Sequence, residues 1–233
     1  MDLNFIEEYG IDGVLYMNMA GMEGGHAIGN VIKGKTPPSG HLTATFAKSY
    51  DAYPSSEFFG QSHGGILQDY KEDIFVGYRY FETFEGAAED VIYPFGYGLS
   101  YADFAVSDIE YHACTSRIHV TMTVTNISQK YKGKYVAQVY YGAPRMGTGD
   151  AKLGKPAKVL GGWAKTKELA PGRSQTIKIV FPIKSMASFD DTGVTGHRSC
   201  WVLEAGDYTI YAGDSVTNAV KVGTYTRDKL KVV

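Results

Sequence analysis

Glu23 stands in Gly21-Met22-Glu23-Gly24-Gly25, just ahead of a run with helical spacing, where a carboxylate could contact a ligand. Ligands of α/β sheets sit at the carboxyl ends of strands, where helices begin. The plainer role is local and is the one we adopt: a carboxylate at a helix N-terminus stabilises the dipole, or the N–H groups of Gly24 and Gly25, by about 0.3–1 kcal/mol. Arg79 is the single cation of the block Phe75-Val76-Gly77-Tyr78-Arg79-Tyr80-Phe81, and a guanidinium binds carboxylates and hydroxyls well. Between two tyrosines it is expected to pair with Asp73 or Glu82 and to stack among the rings. On that reading, Arg79→Ala loosens the contact between two parts of the chain and lowers thermal stability. A second aromatic block follows, Tyr93-Pro94-Phe95-Gly96-Tyr97-Gly98-Leu99-Ser100-Tyr101. Tyr93, Phe95, Tyr97 and Tyr101 could offer faces to pyranose C–H surfaces. Burial is the simpler expectation, with Gly96 and Gly98 admitting close backbone approach. The seam expected from the two blocks therefore comprises Tyr78, Arg79, Tyr80, Phe81, Tyr93, Phe95, Tyr97 and Tyr101.

The remaining reactive groups form no recognisable constellation. Cys114 and Cys200 lack the spacing of a zinc site and are expected to be buried free thiols, a single bridge being the alternative. Six histidines are scattered along the chain, His112 and His119 being at most sheet neighbours, so no metal or other cofactor is expected. Asp190-Asp191-Thr192-Gly193 lacks a complete calcium-loop pattern and reads as a turn. Asn126-Ile127-Ser128 is formally a glycosylation sequon, but it follows a strand pattern and also reads as a turn.

The elements that must position these groups change character along the chain. Gly13-Val14-Leu15-Tyr16-Met17 reads as a short strand, and Ala27, Ile28, Val31 and Ile32 recur at helical spacing until Gly34. After the turn signal Thr36-Pro37-Pro38-Ser39-Gly40, residues 42–46 alternate like a strand. One strand–helix–strand unit cannot close a two-layer core, so further elements are expected ahead of it, and the chain reads as a piece of a larger or divided protein. From Ala105 onward, short alternating runs at residues 120–124, 136–141, 177–181 and 208–212 alternate with turn residues, which predicts a β-sandwich. Leu169-Ala170-Pro171-Gly172 and Glu204-Ala205-Gly206-Asp207-Tyr208 are turn-then-strand signals. The expected fold is an α+β two-part chain, a partial α/β sandwich segment followed by an all-β sandwich. Its divisions are residues 1–72, an aromatic linker at 73–104, the sandwich at 105–226 and a tail at 227–233. Residues 146–155 are expected to be an exposed loop.

With 233 residues, the chain can hold two modest cores. A net charge of −2, with 23 basic and 25 acidic residues interspersed, offers no basic stripe for nucleic acid or a membrane surface. No apolar run approaches the roughly 20 residues of a membrane span. Met1-Asp2-Leu3-Asn4 lacks the regions of a signal peptide, so a cytoplasmic location is expected.

The two aromatic blocks resemble the boundary between the second and third domains of glycoside hydrolase family 3, the β-glucosidase and β-xylosidase group. Gly21 to Gly25, Pro38-Ser39-Gly40-His41-Leu42-Thr43 and Lys158-Val159-Leu160-Gly161-Gly162-Trp163 are similar to other segments of that family, in its order. The resemblance implies the end of an α/β-sandwich domain joined to a fibronectin-type-III-like, immunoglobulin-like module, in an enzyme that hydrolyses terminal β-D-glycosidic bonds with retention. That chemistry needs two carboxyl groups roughly 5 Å apart. The family's nucleophile is an Asp, commonly followed by Trp; here Trp163 follows Gly162 and Trp201 follows Cys200. The acid/base Glu of the family lies in a variable loop, and Glu7 and Glu8 have no matching context. No catalytic residue is carried over, and Glu23 remains the weak candidate. The expected role of this chain is to brace the catalytic domains, its partners being a β-linked sugar through the complete enzyme and either missing domains or a second copy against the incomplete sheet. A stand-alone carbohydrate- or protein-binding module is the alternative; it has no reason to carry residues 13–46 or the aromatic seam.

Overall fold

The computed structural model describes residue 3 and residues 5–60 and 62–233; the expectation about Met1, Asp2 and Asn4 falls outside the described residues. A one-turn helix α1 (Phe5–Glu8) precedes α2 (Gly24–Ile32), the helix expected from the Ala27-Ile28-Val31-Ile32 spacing. Residues 13–17 form no strand. A β-strand is held by a neighbour's ladder, and none pairs with this run among the described residues. Its Val14, Leu15, Tyr16 and Met17, with Met19 and Met22 beyond, are exposed. The strand expected at 42–46 contracts to β1 (Phe46–Ala47), paired antiparallel with the later β2 (Val91–Tyr93). Leu42 is held differently: its N–H donates to the Tyr97 carbonyl at 2.8 Å, and its own carbonyl accepts from Gly96 N–H at 2.8 Å. Between them lies α3 (Tyr78–Phe81), a single turn.

The sandwich is built from two antiparallel sheets. One comprises β3 (Phe104–Ala113), β4 (Arg117–Asn126) and β7 (Ser174–Pro182) in the order β3-β4-β7. The other has the order β11-β10-β5-β6, from β5 (Val136–Gly142), β6 (Val159–Lys165), β10 (Gly206–Gly213) and β11 (Val220–Arg227). The period-2 pattern sends Ile118, Val120, Met122 and Val124 of β4 and Ile177, Ile179 and Phe181 of β7 inward. There they meet Ala137, Val139 and Tyr141 of β5 and Tyr208, Ile210 and Ala212 of β10. Each buried Val, Ile, Met or Phe side chain contributes about 1.5–3 kcal/mol. On the outer face the intervening hydroxyls pair across strands, Thr123 with Thr176 at 3.2 Å and Thr125 with Ser174 at 2.8 Å. The strand β5 departs from this rule, because its residues 136–141 are all buried. Only Ala137, Val139 and Tyr141 serve the core, so something else covers the other face.

Both expected turns are present. Asn126 is fully buried, its Nδ2 donating to Tyr131 and Leu169 carbonyls at 2.9 and 2.8 Å while its Oδ1 accepts from Ser128 N–H at 3.0 Å. The amide is committed to closing the turn, not available to a glycan. Asp190, at the end of β8 (Ser188–Asp190), accepts from the N–H groups of Gly193, Val194 and Thr195 and from the Thr195 hydroxyl. Burial disfavours its charge, but these hydrogen bonds outweigh burial and hold the pKa down to about 2. A carboxyl whose folded pKa is depressed contributes stability above the ordinary carboxylate range, and that stability is lost as pH falls through the interval down to about 2. Urea midpoints measured between pH 5 and pH 2 should therefore fall more steeply for the wild type than for Asp190→Asn; parallel curves would contradict this.

Two further expectations are corrected. The 227–233 segment is not simply a tail, since β12 (Lys231–Val232) pairs with β9 (Cys200–Leu203), which pairs with β8 in a small side sheet. The 146–155 loop is exposed throughout its first half, but its second half alternates, with Lys152 and Gly154 facing outward. Ala151, Leu153 and Lys155 turn inward and are buried, because Lys155 finds a buried carboxylate, Glu204, 2.5 Å away.

Candidate functional site

The outer face of β5 is covered by the two aromatic blocks. Tyr78 of α3 stacks on Phe95 with ring centroids 4.4 Å apart, and both rings stand edge-on to Tyr140 of β5. Val216, Ala219, Leu160 and Tyr211 complete this second apolar cluster. The Tyr78 hydroxyl accepts from the Leu160 N–H of β6 at 3.0 Å, and Val216 N–H donates to the Phe95 carbonyl at 3.1 Å. The aromatic blocks are thus joined to the sandwich by backbone hydrogen bonds as well as by ring packing.

Gln138 is the polar centre. Its Nε2 donates to the carbonyls of Gly96, at 3.0 Å, and Asp214, and its Oε1 accepts from the Tyr140 hydroxyl at 2.5 Å. Burial first, then the negative charge of Glu82 and Asp214 together with neighbouring Tyr78, raises the Tyr140 pKa far above the ordinary phenol, so Tyr140 remains a donor. Gly96 has φ +82°, and a Cβ there would lie 2.1 Å from Gln138 Oε1. At Gly98 a Cβ would lie 2.4 Å from the Gly40 carbonyl oxygen, so Pro38 to Thr43 can lie against the second block only because no side chain intervenes.

A charged rim surrounds this centre. Lys158 Nζ donates to Glu82 Oε2 at 3.0 Å and to the Val216 carbonyl at 2.7 Å, and lies over the Tyr211 ring. Ala157 N–H donates to Thr83 Oγ1 at 2.8 Å. Farther along, Lys165 Nζ reaches the Ser39 carbonyl at 2.7 Å, and the Tyr101 hydroxyl donates to the Val31 carbonyl at 3.0 Å.

Seven of the eight expected seam residues are aromatic, and each meets another ring. Beyond Tyr78 and Phe95, Phe81 is buried edge-on to Tyr53, Tyr80 packs on Phe81 and Phe84, Tyr93 on Tyr97, and Tyr101 on Tyr131. Arg79 is different. It forms no ion pair among the described residues, because Glu82 is taken by Lys158; its charge acts on the Tyr141 hydroxyl, whose pKa burial pushes up to about 12 against that pull. The stability effect expected of Arg79 therefore moves to Lys158. Lys158→Met should lower unfolding stability by about 1.5–3 kcal/mol, and Arg79→Ala by less than about 1 kcal/mol, both read from denaturant midpoints. The reverse ranking would contradict this assignment.

Glu23 caps α2 by position only. Its carboxylate makes no hydrogen bond to the helix N–H groups and instead contacts His26 Nδ1 at 2.5 Å, with the side chain 81 % exposed. An exposed helix turn, not a strand end, surrounds it. The cysteines are free as expected but not buried, Cys114 being exposed and Cys200 half-buried, since both stand near strand ends. Among the described residues no three His, Cys, Asp or Glu side chains are grouped to hold a metal, and no helix is long and apolar enough to cross a membrane. Gln138, Lys158 and Val216 are the seam residues that the sequence reading missed. One signal was present: a Gln inside the run Val136-Ala137-Gln138-Val139-Tyr140-Tyr141, whose apolar residues do not alternate.

The glycosyl hydrolase family 3 C-terminal domain matches residues 1–101, and the fibronectin type III-like domain matches residues 135–216. A β-glucosidase of Ruminococcus albus is 43% identical over all of this chain, which covers 23% of that relative. β-Glucosidase A of Butyrivibrio fibrisolvens is 45% identical over 88% of the chain and 26% of its own length. Among solved structures, a Paenibacillus barengoltzii β-glucosidase superposes with a TM-score of 0.89 at 41% identity, over 100% of this chain and 25% of that one. β-Glucosidase 3B of Thermotoga neapolitana, in complex with glucose, gives 0.85 at 33% identity, over 99% and 30%. The chain spans about a quarter of the length of these relatives.

Proposed function

Because this chain belongs to glycoside hydrolase family 3 and carries that family's C-terminal portion, we propose that it braces a retaining β-glucosidase whose two catalytic carboxylates come from sequence outside it. The observation that carries this reading is the seam. Gln138, Lys158 and the Tyr78–Phe95 stack commit one whole face of a sandwich strand to holding residues 38–101 in a fixed place. An independent binding module has no need of such a commitment. In the complete protein this fixes the α/β segment against the catalytic domains, so that a β-linked glucoside is held in a cleft of constant shape; positioning to within about an ångström governs rate in such sites. The exposed apolar residues Val14 to Met17, with Met19 and Met22, are the surface that the rest of that protein covers.

Glu23 supplies no chemistry in this account, since an exposed carboxylate paired with His26 lacks the second carboxyl group that retention requires. The test is the purified chain incubated with a panel of aryl β-glycosides. No release of nitrophenol above buffer is expected. Turnover by the chain, abolished by Glu23→Gln, would overturn the reading.

A further inference from the structure

On the face of the β3–β4 hairpin away from the sandwich core, His112 lies directly opposite His119. Cys114, two residues beyond His112, falls on the same face, its Sγ 3.6 Å from His119 Nε2. The thiol donates to the Arg117 carbonyl at 3.4 Å and is exposed. Together they line an open concavity of about 640 Å³, which Lys178 of β7 borders along with Glu110 and Tyr111 of β3. Nucleophile, base and access are therefore assembled at a place the seam does not use. We propose that Cys114 is a modification site, a reactive thiol that forms a mixed disulfide with low-molecular-weight, carboxylate-bearing disulfides of the glutathione class, with His119 as its proton acceptor.

The chemistry balances without any further reactant. The Cys114 thiol passes its proton to His119 Nε2, the thiolate attacks one sulfur of the disulfide, and a new S–S bond forms as the old one breaks. The departing thiolate carries away the electron pair and takes up the proton, so Cys114 is oxidised and the incoming disulfide reduced. Thiolate character governs such reactions. Hydrogen bonding from the backbone of Ser116 and then Arg117 lowers the Cys114 pKa against slight desolvation, and the Arg117 charge adds to the effect. Desolvation, followed by the charges of Lys178, His112 and Arg117, lowers the pKa of His119, which leaves its ring neutral and able to accept a proton at neutral pH. Lys178 on the rim, and the Arg117 charge that acts on both Cys114 and His119, favour a carboxylate-bearing reagent against Glu110, the one acidic residue among the described residues lining the concavity, while the Tyr111 hydroxyl stays protonated because burial raises its pKa. Cys200 has no such setting; it is half-buried and donates to the Arg198 carbonyl at 3.5 Å, and no histidine among the described residues hydrogen-bonds to its sulfur.

The experiment exposes the folded chain to oxidised glutathione over pH 6 to pH 9 and follows each cysteine by peptide mass, in the wild type, Cys114→Ser, Cys200→Ser and His119→Gln, with thermal melts confirming that each variant is folded. The expected result is a first adduct on Cys114, formed several-fold faster at pH 7 than any on Cys200. The half-maximal pH should lie below the free-cysteine value of about 8.5, and His119→Gln should move it upward and slow the pH 7 reaction several-fold. A wild-type profile centred near 8.5, an unchanged profile in His119→Gln, or earlier reaction of Cys200 would each overturn the proposal. The wild-type profile decides the matter even if a variant fails to fold.

Discussion

Gly96→Ala is expected to destabilise the protein by about 2–5 kcal/mol, combining the cost of a left-handed backbone for an L-residue with the loss of buried hydrogen bonds. Gly96 has φ +82°, and the added methyl would lie within 2.8 Å of the Oε1, Nε2 and Cδ atoms of Gln138. Backbone or amide must move, and either movement breaks the bonds that Gln138 makes to Gly96, Asp214 and Tyr140. For a chain of this size, that corresponds to a Tm lower by roughly 5–15 °C. The cause can be isolated. If the clash with Gln138 carries the effect, Gly96→Ala combined with Gln138→Ala should cost clearly less than the sum of the two single changes. Strict additivity would mean that only backbone strain matters at Gly96.

Glu204→Ala should have an effect of comparable size, about 3–5 kcal/mol, because it strands a buried ammonium. The Lys155 and Glu204 side chains are only 3 % and 4 % exposed. Glu204 also accepts the N–H groups of Lys152 and Leu153, so its loss unfastens the inward half of the 146–155 loop. Replacing both partners with apolar residues, Lys155→Met with Glu204→Leu, should restore the part of the stability lost to the stranded charge, but not the part that Glu204 contributes through the Lys152 and Leu153 N–H groups. Burial lowers the Lys155 pKa, and Glu204 partly restores it. In Glu204→Ala that restoration is gone, the folded state binds fewer protons than the unfolded one, and stability must rise with pH up to the ordinary lysine value of 10.5. Urea curves between pH 7 and pH 10 read both the loss and its sign. A loss below about 1 kcal/mol would mean that water reaches Lys155.

The β-sandwich was legible in the sequence because one-sided burial writes itself as period-2 alternation, as in Ile118, Val120, Met122 and Val124. The turns at Asn126 and Asp190 were legible for a similar local reason, since the side chain that closes each turn lies within five residues of the N–H groups it satisfies. Residues 13–17 failed as a strand because the pattern reports apolarity, whereas a strand also requires a neighbour's ladder. The strand expected at 42–46 contracted for a related reason: Leu42 exchanges hydrogen bonds with Gly96 and Tyr97 outside any regular ladder, and of this run only Phe46 joins the β1–β2 pair. The aromatic seam could be recognised from its rings, yet its lock could not. Gln138 reaches Gly96 over 42 residues and Lys158 reaches Glu82 over 76, and nothing local specifies either pairing. Arg79 shows the consequence: of the two carboxylates expected for it from sequence proximity, Asp73 and Glu82, it pairs with neither, and a lysine from the other side of the seam occupies Glu82.

Native-state amide exchange tests the bracing account most directly. The N–H groups of Ala157, Leu160, Val216 and Gly96 are all held across or within the seam. If the seam is one cooperative unit with the sandwich, these amides should open with the same free energy as core amides such as Val139 and Ile210. They should also lose protection together in Gly96→Ala. Exchange at the four seam amides orders of magnitude faster than in the core, in the wild type, would mean that residues 38–101 merely rest on the module and do not depend on it, and the bracing role would have to be abandoned.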